Sequence, residues 1–190
     1  MLAMLTAASG VAFTACGEDE PEKPVDEAWS TKYEVSVELS DDVYNTAEVT
    51  AYVAYPDGKV REEKVTSNRN WTLTGDQVPD KAGVFLTFVP KNNVDLTKEY
   101  ELGFDCSISG ASLQGSDKTI DYKKYSVDET STVEGDKLTE FYPEASVALA
   151  LRTDAKGLVS KAEASDFDLG LNGGFWKWVS GILVGHDDDK

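Results

Sequence analysis

The chain has 190 residues, 41% of them hydrophobic, enough for one domain or two small ones with a real core, and it is not a disordered tail. Eighteen basic residues against 35 acidic ones give a net charge of −17, a field that repels phosphate backbones and excludes sequence-independent nucleic-acid binding. One histidine and two cysteines exclude a zinc ribbon, a four-cysteine cluster and a disulfide-stapled miniprotein, and no cofactor is expected.

Met1 to Ala15 carry no charged side chain, and only Thr6, Ser9, Gly10 and Thr14 interrupt the apolar run. The run has signal-peptide size and is too short to span a bilayer, which takes about 20 such residues. It ends in Phe13-Thr14-Ala15-Cys16-Gly17, small residues flanking a cysteine. A core helix that happens to end in cysteine is the alternative. Residues 16–30 follow as a tether: from Gly17 to Glu27 there are six acids, one lysine and two prolines, so helix is denied and like charges extend the chain.

The Phe13–Gly17 segment resembles the lipobox of bacterial lipoproteins, with Phe13 where that family usually has Leu. The resemblance implies removal of residues 1–15 and acylation of Cys16, whose buried methylenes, at about 0.8 kcal/mol each, tether the protein to a membrane. The acidic cluster behind Cys16 resembles the export signal of Bacteroidota lipoproteins carried to the outer face of the outer membrane. A cell-surface location follows as an expectation, with a periplasm-facing anchor, or a merely solvated linker, as the alternative.

From Thr31 onward the dominant period is two. Tyr33, Val35, Val37 and Leu39 alternate with polar residues, as do Tyr100, Leu102, Phe104, Cys106 and Ile108, so both runs read as half-buried strands. Between them, Val49 to Tyr55 lead into Pro56-Asp57-Gly58 and then Lys59 to Thr66, the signature of a hairpin. Trp71 and Leu73 mark a further strand, and Val84, Leu86 and Phe88 another, stopped by Pro90. Strands at this spacing without a long helix predict an all-β body over residues 31–184, an antiparallel β-sandwich or a barrel; the resemblance to bacterial lipoproteins implies an immunoglobulin-like or related form of it.

Asp128 to Asp136 is rich in Ser, Thr, Gly and acids, and predicts a long loop or an internal boundary within about residues 118–136. Residues 147–164 read either as a hairpin turning at Asp154-Ala155-Lys156-Gly157 or as a helix. The hairpin is preferred because glycine inside a helix costs about 1 kcal/mol. Phe175 to Val184 is largely apolar on both faces, with Lys177 on one of them, and predicts a central or closing strand, followed by a loose tail over 185–190.

Nucleophilic catalysis needs a positioned imidazole, and His186 lies in that tail beside three aspartates. Cys106 falls on an apolar strand face and reads as buried structural thiol rather than reactive thiol. Carboxylates are abundant, but nothing selects an acid–base pair, so a carboxylate-dependent hydrolase ranks below a non-enzymatic role. Asp166 with Asp168, or Asp187 to Asp189, could offer oxygen ligands to calcium, but neither matches an EF-hand loop, solvated charge is the default and no metal site is predicted. Trp71, Trp176 and Trp178 are the candidate ligand-binding residues, as flat stacking surfaces for sugar rings; the competing reading is that they are core. Trp29 would pin the first strand. The expected function is a non-catalytic envelope lipoprotein that binds a glycan or an envelope protein. The alternative is a structural, fimbria-like or accessory assembly subunit.

Overall fold

A computed structural model describes residues 28–115 and 118–169. Cys16, Trp176, Trp178, His186 and Asp187 to Asp189 lie outside the described residues, as does the strand expected over 175–184. Nine strands among the described residues form two antiparallel sheets packed face to face, neither closed into a barrel.

The first sheet holds β1 (Trp29–Leu39), β4 (Arg69–Gly75), β6 (Glu99–Gln114) and β7 (Lys118–Glu134), in the order β4-β1-β6-β7. The second holds β2 (Ala47–Ala54), β3 (Val60–Val65), β5 (Asp80–Pro90), β8 (Ser146–Thr153) and β9 (Val159–Lys161), in the order β3-β2-β5-β8-β9. Two short helices, α1 (Asp41–Thr46) and α2 (Leu138–Glu144), carry the chain between sheets, and Thr46 Oγ1 meets Tyr142 Oη across them at 2.6 Å.

The alternation in β1 and β6 places Tyr33, Val35, Val37 and Leu39 opposite Gly110, Ile108, Cys106 and Phe104, all facing inward. Val49, Ala51 and Val53 of β2, Val84, Leu86 and Phe88 of β5, and Val147, Leu149 and Leu151 of β8 supply the other half of the core. Cys106 is fully buried there, and burial pushes its thiol up to about 12. A second cluster covers the outer face of β5 and β8: Phe85 and Ala150 are packed under residues 162–169, with Phe85 and Phe167 edge to face at 5.1 Å.

One sequence expectation is overturned. The stretch from Asp128 to Glu134, expected as loop, belongs to β7, a 17-residue strand paired with β6 through a register running from Gln114↔Lys118 to Glu99↔Glu134. The physical reason lies in two inner positions. Glu129 stands opposite Phe104 and Ser131 opposite Leu102, so polar residues occupy places where an apolar alternation would have betrayed the strand. Thr130, Thr132 and Val133 are β-branched and suit an extended backbone.

Residues 146–161 form the preferred hairpin, β8 and β9 joined at Asp154 to Gly157, with a return strand that ends at Lys161 rather than Ala164. Gly157 has φ +79°, and Asp154 Oδ1 accepts the N–H groups of Lys156 and Leu158 at 2.8 and 2.9 Å. These bonds, Leu158's first, hold the Asp154 carboxyl below its usual value. The turn also ties the two sheets together: Ser112 Oγ donates to the Gly157 carbonyl, and the Val159 N–H donates to Asp121 Oδ2 on β7 at 2.8 Å. The Trp29 ring lies so close to Gly157 that a β-carbon there would overlap it, which gives Trp29 its pinning role. Gly157→Ala therefore meets both an unfavourable φ and a clash, and is expected to destabilise the protein by about 2 kcal/mol or more in urea unfolding. A loss under half that size would show that the turn and Trp29 can both yield.

Candidate functional site

At one end of the sandwich the β2–β3 turn, the start of β5, the β8–β9 turn and the segment around Phe167 surround a cleft of about 840 Å³. Local chemistry fixes its walls. Pro56-Asp57-Gly58 closes the β2–β3 turn with Gly58 at φ +79°, and the Tyr55 N–H donates to the Lys59 carbonyl at 2.8 Å. Asp57 pairs with the Lys59 ammonium and accepts its backbone N–H, and these bonds hold the Asp57 carboxyl below its usual value.

The floor of the cleft is a buried polar network. Asp80, 9% exposed, accepts a hydrogen bond from Tyr33 Oη at 2.5 Å and another from Thr31 Oγ1. Tyr33 has a single hydroxyl proton, and it goes to Asp80. The 2.6 Å contact between Tyr33 Oη and Thr153 Oγ1 is therefore donated by the threonine. Burial, reinforced by the bond to Asp80, pushes the Tyr33 hydroxyl well above its usual value of 10.0, so the phenol keeps its proton. Gly75 leaves the room this needs, because a β-carbon there would overlap both the Asp80 carboxylate and the Thr31 hydroxyl.

The rim carries cations and acids. Lys81 Nζ donates to the Asp166 carbonyl and lies 5.2 Å from the centre of the Phe167 ring. Arg152 Nε donates to Ser160 Oγ at 3.3 Å, and its guanidinium is 3.8 Å from the Asp166 carboxylate. Asp166 Oδ2 also accepts the Glu163 N–H at 2.9 Å. That engagement ties the carboxylate into a 3-10 turn rather than leaving it as a free oxygen donor. Arg61, itself outside the lining, places its guanidinium over one face of the Tyr55 ring at 4.7 Å. The cleft thus presents donors, acceptors and the edges of Tyr55, Pro56 and Phe167 side by side.

Trp71 is elsewhere. It sits on the inner face of β4, 7% exposed, with Nε1 donating to Glu63 Oε2 at 3.3 Å and the Arg69 guanidinium 5.7 Å from its ring. It takes the core alternative and offers no open stacking face. The residues that form the network, Thr31, Tyr33, Asp80 and Thr153, come from β1, β5 and β8 and were not foreseen. The only local hint was an acid placed between Pro79 and the apolar run of β5.

No protein-family model, no curated protein and no solved structure matches the chain.

Proposed function

We propose that the chain is a non-catalytic envelope lipoprotein, held at the outer membrane by an acylated Cys16 and facing the cell surface. On this reading the acidic tether presents a β-sandwich whose end cleft binds a glycan or another polyhydroxylated surface component. The observation that carries the reading is the cleft itself. Its volume of about 840 Å³ and its mixed lining of cations, carboxylates, hydroxyls and ring edges suit a ligand with many hydroxyl groups. Binding is favoured over hydrolysis by three of the four carboxylates lining the cleft: Asp80, Asp154 and Asp166 each already hold a structural hydrogen bond.

The test is calorimetric titration of the purified body with a panel of neutral and acidic oligosaccharides. At least one is expected to bind, and Tyr55→Ala with Arg152→Ala is expected to weaken it about tenfold, the usual cost of losing one or two good contacts. Silence across the panel, or affinity indifferent to both changes, rejects the cleft as a glycan site. The anchor is tested separately: Cys16→Ala should leave the body folded and move it from the membrane fraction to the soluble fraction. Its recovery in the membrane pellet would refute lipidation.

A second reading, an assembly subunit, draws on the outer edge of β7, a 17-residue strand whose ladder pairing is with β6 alone among the described residues. Concentration-dependent ladders on native gels would favour it.

A further inference from the structure

A second cleft, of about 260 Å³, opens between the inner faces of the two sheets where α2 meets the edge strand β7, and it shares no lining residue with the end cleft. Its walls include the rings of Phe88, Phe104 and Phe141. Phe104 packs edge to face against Phe88 at 5.4 Å, so the apolar surface is continuous across both sheets. Two carboxylates, Glu129 and Glu144, line the same space. Both side chains are exposed, and neither enters an ion pair among the described residues.

Glu129 is there for a topological reason. It occupies an inner position of β7, directly opposite Phe104, where the pleat of the sheet would ordinarily place an apolar side chain. A third feature is independent of the acids. Ser146 also lines the cleft, is 3% exposed, and its Oγ is the one buried side-chain oxygen among the described residues without a hydrogen-bond partner. Buried hydroxyls in native structures almost always have a partner, so an orphaned one beside a cleft points to a group that enters it.

We propose that this cleft binds a small organic monocation: an apolar ring or branched alkyl group bearing an ammonium. The apolar part fills the space between the phenylalanines, where it is removed from water. The ammonium, with three N–H donors, sits at the mouth between Glu129 and Glu144 and turns one of them to the Ser146 hydroxyl, which accepts it. A neutral hydrocarbon would gain nothing from the two carboxylates, and an anion would be repelled by both and by the chain's net charge of −17. The volume holds one ring with a short arm, so a larger molecule could place no more than a single side group in it.

Three matched probes test this on the intact chain by NMR titration: 2-phenylethylammonium, 3-phenylpropionate and 2-phenylethanol. The ammonium should bind with shifts centred on Phe104, Phe141 and Ala145, at least tenfold more tightly than the carboxylate. Glu129→Gln with Glu144→Gln should weaken the ammonium about tenfold and leave the alcohol unchanged, because exposed carboxylates each contribute modestly. Ser146→Ala should remove the orphaned hydroxyl and raise the melting temperature of the free protein. Equal affinity for all three probes, ammonium binding untouched by the double glutamine variant, shifts mapping elsewhere, or no binding by any probe each overturns the proposal. None of these outcomes bears on the end cleft, whose residues the variants leave intact.

Discussion

Tyr33→Phe is expected to lower the free energy of unfolding by about 3 kcal/mol, a loss that combines one hydrogen bond to a charged group with the stranding of its neighbours. The change removes a single oxygen and leaves the ring, so core packing between β1 and β6 is nearly preserved. What remains is a carboxylate, Asp80, 9% exposed, with only the Thr31 hydroxyl still donating to it. Thr153 loses its acceptor at the same time. The comparison with Asp80→Ala is informative because the two effects oppose each other there: two donors are orphaned, but the cost of desolvating a charge disappears. Asp80→Ala should therefore cost less than its two lost hydrogen bonds suggest, and the double variant should be more stable than the sum of the single losses predicts by at least about 1 kcal/mol. Urea unfolding of the four proteins measures this directly. Strict additivity, or a Tyr33→Phe loss below about 1 kcal/mol, would mean that water replaces the phenol and the network does not hold the end of the sandwich.

The same residues show where sequence reading stops. The alternation of Tyr33 to Leu39 marks a strand because every second residue is apolar, and period two survives any tertiary context that buries one face. It also classes Tyr33 as an ordinary core aromatic. That its hydroxyl meets Asp80, 47 positions away, and Thr153, 120 positions away, is set by how β1, β5 and β8 stack, and pairing across sheets leaves no local trace. Strand β7 fails for the opposite reason. Its pairing is regular, but Glu129 and Ser131 face inward at an edge that the second sheet does not fully cover, so the hydrophobic signal is missing where the backbone signal is present. The hairpin at 146–161 was legible because a glycine in a turn leaves a mark in composition that packing cannot erase. Trp71 was legible as a large aromatic and ambiguous in purpose: only the position of β4 beside β1 decides that its ring is enclosed. The end cleft was invisible because it is built from two turns, a strand start and a downstream segment, none unusual by itself.

Alkaline pH is expected to unfold the protein far more readily than moderate acid. Below pH 9 the groups concerned are protonated in both the folded and the unfolded chain, and they contribute no pH dependence. Burial raises Cys106 from 9.0 to about 12, and Tyr142 and Tyr44 from 10.0 to about 12, while Tyr33 is raised further by burial and by Asp80. Between pH 9 and 12 the unfolded chain therefore releases protons that the folded chain retains, so each step up in pH favours unfolding. The stability is present in full below the unfolded values and is lost as pH rises toward the folded ones. Cys106 alone, deep in the core, accounts for about 4 kcal/mol once its folded value is reached, and the tyrosines add to the same limb. Urea unfolding from pH 8 to 11.5 should show a plateau followed by a steepening decline that starts near pH 9. Cys106→Val removes the earliest titrating group while keeping an apolar side chain in place, so its decline should begin nearer pH 10 and be shallower by one proton. A wild-type profile flat to pH 11, or a valine variant that follows the wild type, would show that the thiol and phenols reach solvent before the sheets separate.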